Sequence, residues 1–238
     1  MFILARKKAI LIIVEGPSDE TALGAIFSRI YDPSTTFVLT MHGDLTTQIK
    51  VDPGNIVAKI GNAIREFAKG QFLTYKDFIE IIHIVDTDGA YIPNDSIIED
   101  VNATKAIYSE SCITTNNKDN IINRNSQKCQ NLNKLVATND IWNIPYKIYF
   151  MSANLDHALY GSLNLTDEEK ESKAYDFALQ YHDNIPKFRN FITNSDFSVM
   201  LPYKESWNFI KSDCESLKRH TNLGLCLPEQ VNIDNNEP

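Results

Sequence analysis

Apolar residues fall into two kinds of run along this chain. Short uninterrupted stretches rich in Ile and Val, Ala9-Ile10-Leu11-Ile12-Ile13-Val14 and Ile81-Ile82-His83-Ile84-Val85, predict strands buried on both faces of a parallel sheet. The second of these begins at Phe78, and two more strands are expected at Thr35–Met41 and Ile144–Met151. Elsewhere the apolar positions recur at helical spacing. Ala22, Leu23, Ile26, Phe27 and Ile30 follow a Ser18 cap, while Ile56, Val57, Ile60, Ile64 and Phe67 follow Asp52-Pro53-Gly54-Asn55 and stop at Gly70. Alternating strand and helix predicts an α/β fold, a Rossmann-like and mostly parallel four-stranded sheet flanked by helices.

The pattern changes after the third strand. Asp86 to about Asp140 is polar and Asn-rich, which predicts a flexible excursion around one helix near Asn125–Val136. A short helix is expected at Asn154–Tyr160. Thr166-Asp167-Glu168-Glu169 is a capping box opening a helix with Ala174, Phe177, Ala178 and Tyr181 on one stripe, and helical character continues through Phe188–Ile192 and Ser206–Leu217 to about Thr221. The expected organisation is therefore a catalytic domain over 1–163 with a polar insertion at about 90–140, a helical C-terminal extension over 164–227, and a frayed tail over 228–238.

With 238 residues, 43% of them hydrophobic, the chain can bury one substantial core. Its formal charge of -8 argues against a protein that coats nucleic acid through a general basic surface, without excluding an enzyme that acts on it. Cys112, Cys129, Cys214 and Cys226 are too scattered for a zinc finger. Arg6-Lys7-Lys8 imitates the start of a signal peptide, but the run behind it ends in Glu15-Gly16, as a strand would. No stretch approaches the roughly 20 apolar residues of a membrane span, so a cytoplasmic protein with no membrane contact is expected.

Candidate chemistry lies directly behind the two strongest strands. Glu15-Gly16-Pro17-Ser18-Asp19-Glu20 follows the first and Asp86-Thr87-Asp88-Gly89 the third. In open α/β sheets ligands bind beyond the carboxyl ends of the strands, which puts both acid clusters on one edge. Carboxylates forced together cannot all stay ionised without a cation, and a divalent metal is the simplest one. Asp86 and Asp88, one residue apart where the chain leaves the sheet, can turn towards the same ion, with Gly16 and Gly89 easing the backbone past it. Asp19 either reaches this site or complements the start of its helix, and Glu20 reads as solvated surface. Asp156 and His157 stand just beyond the fourth strand, as further ligands or as a capping acid beside a surface histidine. His42 and Asp44 either line the crevice or form a turn. His83 reads as core, and Trp142, Tyr146, Tyr149 and Phe150 as sheet packing.

Strand, then Glu-Gly-x-x-Asp, then helix, with a later strand ending in Asp-x-Asp, resembles the Toprim domain shared by topoisomerases, primases and several nuclease families. The match rests on Glu15, Gly16, Asp19, Asp86 and Asp88, covers roughly residues 8–92, and extends to a final strand and turn at 144–160. The resemblance implies acid/base work for Glu15 and Mg²⁺ or Mn²⁺ held by Glu15, Asp86 and Asp88, with Asp19, Asp156 and His157 as further ligand candidates. The chain has no room for strand-passage or polymerase modules, which leaves a compact nuclease cutting DNA or RNA. Its size and appended helices look most like stand-alone Toprim effectors encoded beside an ATPase in bacterial anti-phage systems, similar to the nuclease half of the overcoming-lysogenisation-defect family. A small Toprim ribonuclease that matures ribosomal RNA is the enzymatic alternative, and a non-catalytic docking or sensing subunit of an ATPase complex the other. Whether the chain forms a homo-oligomer stays open.

Overall fold

The computed structural model describes residues 7–43, 45–46 and 54–229. Asp44, the Asp52-Pro53 pair and most of the expected frayed tail lie outside the described residues. The strands form where the uninterrupted apolar runs predict them: β1 (Lys8–Val14), β2 (Thr36–His42) and β3 (Phe78–Asp86). Helices α1 (Pro17–Ile30) and α2 (Ile56–Gly70) connect them. Three short strands follow, β4 (Ile97–Glu99), β5 (Ile107–Tyr108) and β6 (Ile113–Thr115), then helix α3 (Lys118–Val136) and strands β7 (Asp140–Ile141) and β8 (Ile144–Met151). The chain ends in α4 (Leu155–Tyr160), α5 (Asp167–Tyr181), α6 (Ile185–Asn194) and α7 (Tyr203–Ile210).

The main sheet has five strands rather than four, in the order β2-β1-β3-β8-β7. β1, β2, β3 and β8 pair in parallel, and the additional strand β7 runs antiparallel to β8. β7 and β8 are joined by Trp142-Asn143, both at positive φ (55° and 59°), the twist a two-residue hairpin demands. Trp142 therefore sits in a turn, against Tyr75, rather than in the sheet. The result is a mixed α/β fold, a parallel-rich sheet flanked by helices and compatible with a Rossmann-like arrangement.

Alternation along the strands divides the core into two layers. Leu11, Ile13, Ile81, Val85, Ile148 and Phe150 face α2, α3 and α7, where Ile60, Ile64, Leu132, Leu135 and Trp207 meet them. Ile10, Ile12, Val14, Ile82, Ile84 and Tyr149 face the opposite way, towards Leu23, Phe27, Phe177 and Phe188. His83 is buried in β3 with its Nδ1 2.7 Å from the Tyr146 hydroxyl, and burial holds its pKa down at about 3.

The polar excursion is an ordered part of this fold, contrary to expectation. Its three short strands form a second sheet in the order β4-β6-β5, closed over Ile92, Ile97, Ile113, Ile121 and Leu217. α3 starts seven residues before the expected Asn125, because the Asn117 side chain accepts the Asn120 N–H at 2.9 Å. An asparagine of the Asn-rich stretch thus acts as a helix cap, and Asn154 and Asn184 repeat the device at α4 and α6. α1 departs in the other direction. Its cap is Gly16, with Pro17 in the first turn, and Ser18 does not cap it.

The expected helix over 206–217 stops early, at Ile210. Beyond it Asp213 turns at φ 43° and the chain hydrogen-bonds to the end of the sheet instead. Ser216 O accepts the Ala153 N–H at 2.9 Å, His220 O the Ser152 N–H at 2.9 Å, and Thr221 Oγ1 donates to Phe150 O at 2.8 Å. Among the described residues no helix is long and apolar enough to cross a membrane.

Gly89 tests this packing. Its φ is 66°, and a Cβ there meets Leu217 Cδ2 at 2.7 Å and Ile113 Cδ1 at 3.0 Å. Gly89→Ala is expected to cost about 2–4 kcal/mol from left-handed strain and overpacking together. Gly70, with nothing within 4 Å of its Cβ position, is expected to gain about 0.5–1 kcal/mol as alanine. Urea denaturation of both variants checks the contrast.

Candidate active site

Three neighbouring strands deliver acids to one edge. β1 ends at Val14 with Glu15 next, β3 ends at Asp86 with Asp88 two residues on, and β8 ends opposite Asp86 with Asp156 in the helix that follows. A cleft of about 270 Å³ opens at this edge. Glu15, Asp19, Asp86, Asp88 and Asp156 all line it, together with Ser18, Asn154 and Lys170. The expected meeting of the two acid clusters is present in the geometry.

Each carboxylate has a distinct anchor. Asp86 Oδ1 accepts the Leu155 N–H at 2.9 Å, at the first turn of α4. Asp19 Oδ2 accepts the Gly16 N–H at 2.8 Å, so Asp19 both reaches the cleft and secures the start of α1. Glu15 Oε1 accepts the Thr46 hydroxyl at 2.9 Å. Asp156 lies 3.7 Å from the Lys170 ammonium. Asp88 is held at φ 49°, a conformation that aspartate tolerates better than most side chains. Gly16 itself is extended at φ -133°, and a Cβ there meets Asp19 Oδ2 at an ordinary 3.6 Å, so its conformation and space do not demand glycine.

Helix α3 closes the site from the side, a contribution absent from the expected residues. Lys128, with a side chain 0% exposed, hydrogen-bonds to Asp88 Oδ2 and lies 3.5 Å from Glu15 Oε1. Arg124 donates to Asp88 O at 2.8 Å, Asn125 to Gly89 O at 3.1 Å, and Asn131 to Thr46 O at 2.9 Å. A sequence signal for this existed. Ile121, Asn125, Lys128, Leu132 and Leu135 recur at helical core spacing and are all buried, with two polar side chains standing where apolar ones belong.

The electrostatics divide the acids. Burial pushes the Asp86 carboxyl well above its ordinary range, and repulsion from Glu15, Asp19 and Asp88 adds to it. Burial also raises Asp19, to about 6, with Asp156 contributing. Burial acts on Asp88 in the same sense, but the nearby cations Lys128 and Arg124 outweigh it and hold Asp88 below the usual carboxylate value. Lys128 gains in return. Burial opposes its charge, while Asp88, Glu15 and Asp86 overcome that cost and keep it firmly protonated.

The other candidates stand elsewhere. His157 does not line the cleft; its Nε2 lies 3.9 Å from Glu110, and both ring nitrogens are buried without a hydrogen-bond partner among the described residues. His42 pairs with Glu20 at 2.8 Å on the surface.

By donor type the cleft suits a hard divalent cation: five carboxylates line it, and no thiolate or imidazole. The repulsion Asp86 meets from Glu15, Asp19 and Asp88, added to its burial, is of the kind a bound cation relieves. The side chains as placed are not arrayed as ligands, and among the described residues no group of three His, Cys, Asp or Glu stands ready to hold a metal. No family model, curated protein or solved structure matches the chain.

The charge imbalance has a pH signature. A carboxyl whose pKa rises on folding lowers stability as pH climbs above its unfolded value, 3.8 for an aspartate such as Asp86, and the full cost is present once pH exceeds the folded value. Asp86→Asn removes that cost. In the presence of a chelator it is expected to melt at a higher temperature than the parent at pH 8, with the difference closing towards pH 4. Calorimetry across that range checks it, and an equal or lower Tm at pH 8 contradicts the electrostatic account.

Proposed function

We propose that the chain is a divalent-metal-dependent nuclease of the Toprim kind, cleaving phosphodiester bonds in DNA or RNA. The observation that carries this reading is the meeting of Glu15, Asp86 and Asp88 in one cleft at the carboxyl edge of a parallel sheet. The order and spacing of Glu-Gly-x-x-Asp and Asp-x-Asp support it from the side of sequence.

Glu15, Asp86 and Asp88 are the residues that would hold Mg²⁺ or Mn²⁺, which when bound stabilises the charge developing on a phosphate. The chain's own groups do the rest. Thr46 donates to Glu15 Oε1 and so fixes the orientation of the carboxylate that would hold and move a proton. Leu155 N–H fixes Asp86, and the strained backbone of Asp88 is secured by Arg124. Lys170, partly exposed at the cleft beside Asp156, offers a cation to a phosphate approaching an otherwise acidic edge. At a formal charge of -8 the isolated chain attracts phosphate polymers poorly, so substrate delivery falls to a basic partner. In keeping with the resemblance we assign that role to an ATPase partner, with the chain as effector of an anti-phage system.

A second reading has one observation in its favour. Lys128 already neutralises Glu15 and Asp88 from within, as it would in a non-catalytic docking subunit of an ATPase complex that kept the acids only for structure.

Cleavage assays separate the two. Plasmid DNA, transfer RNA and ribosomal RNA are incubated with the chain and Mg²⁺ or Mn²⁺, with and without the partner. Glu15→Gln and Asp86→Asn are each expected to lower the rate by about 10²-fold or more, and Glu20→Gln, on the α1 surface, to leave it unchanged. Survival of all three substrates under every condition, or parental rates in both variants, rejects the nuclease reading.

A further inference from the structure

Lys128 stands behind the cleft as a fixed part of the fold, against two of the carboxylates that line it. Its ammonium contacts Glu15 and Asp88 at once, so both carboxylates are held to a single positive centre. Helix α3 cannot easily withdraw it. Leu132 and Leu135 anchor the helix in the core, while Arg124, Asn125 and Asn131 tie it to the backbone at Asp88, Gly89 and Thr46.

An ammonium at this point does two things that a metal ion would do: it neutralises both carboxylates and draws them together. It does not do a third, because it brings no open coordination position and no bound water. Two-metal phosphodiester chemistry places its ions about 3.5–4 Å apart, typically sharing a carboxylate between them. Here two cleft carboxylates that follow different strands, Glu15 and Asp88, already share Lys128. Asp86 is anchored separately, by the Leu155 N–H at the start of α4, and is repelled by its acidic neighbours.

We propose that Lys128 takes the place of a second cation, so that the cleft binds one divalent ion per chain rather than two. This rests on reading the cleft as a divalent-cation centre and deepens it by specifying the number of ions. Lys128 is then a positioning residue whose charge sets the metal content of the site.

Manganese binding to the full chain tests it without reference to activity. Titration followed by the electron paramagnetic resonance of free Mn²⁺ is expected to give one equivalent for the parent, and the bound ion an isolated-ion spectrum without Mn–Mn coupling. Lys128→Met, similar in length and uncharged, is expected to take up two equivalents, and its Tm in chelator to fall below the parent's and recover on adding Mn²⁺. Two equivalents or a coupled pair in the parent, or a single equivalent in folded Lys128→Met, overturns the inference and leaves the metal centre standing. No binding by the parent overturns the metal centre along with it. Should Lys128→Met fail to fold, the parent's stoichiometry and spectrum decide the matter alone.

Discussion

Five carboxylates gathered at one edge of a parallel sheet repel one another, and the molecule is arranged around containing that repulsion. Parallel topology creates the problem by bringing the ends of β1, β3 and β8 together. Its containment is uneven. Asp88 is pulled below its ordinary pKa by Lys128 and Arg124, Asp86 is forced well above its own by burial and its neighbours, and Asp19 is raised too, to about 6. Neutralising every acid internally would leave a cleft with little demand for a cation from solution. The residual imbalance is what gives the edge its chemical character.

The polar segment between β3 and β8 gains its purpose from the same constraint. An acidic edge built on three strands needs a wall that can supply positive charge without water, and α3 provides one with a buried Lys and an Arg. The small sheet β4-β6-β5 braces that wall through Ile113 and Ile121. An insertion that looks like decoration along the chain thus closes the site in space.

Much of the scaffold could be read along the chain because its strongest elements obey local rules. The uninterrupted run Ala9–Val14 is apolar on both faces because both faces are covered, and Thr166-Asp167-Glu168-Glu169 caps α5 through the two reciprocal bonds its spacing predicts. Glu15, Asp86 and Asp88 could be placed together because strand polarity alone puts them on one edge. What escaped the sequence is nonlocal. Lys128 is 113 positions from Glu15, and nothing near either residue announces the contact. Strands of two or three residues such as Ile107–Tyr108 carry too little periodicity to register. The region after Ile210 has residues that suit a helix, yet its backbone finds better partners at the end of β8. Asn-rich composition between β3 and β8 suggests mobility where Asn117 closes the start of α3.

The thread between Thr87 and Ser216 sets the order in which such an edge can come into being. Thr87 Oγ1 donates to Ser216 O at 2.9 Å across 129 positions of chain, and also accepts the Ala153 N–H at 2.9 Å. The residue between the two aspartates is thus fastened by a segment that leaves the ribosome long after them. Contacts of such sequence separation form late, since loop closure must precede them. A nascent chain carries its acids well before it can hold them in register, so the cleft matures only once Ser216 has been made.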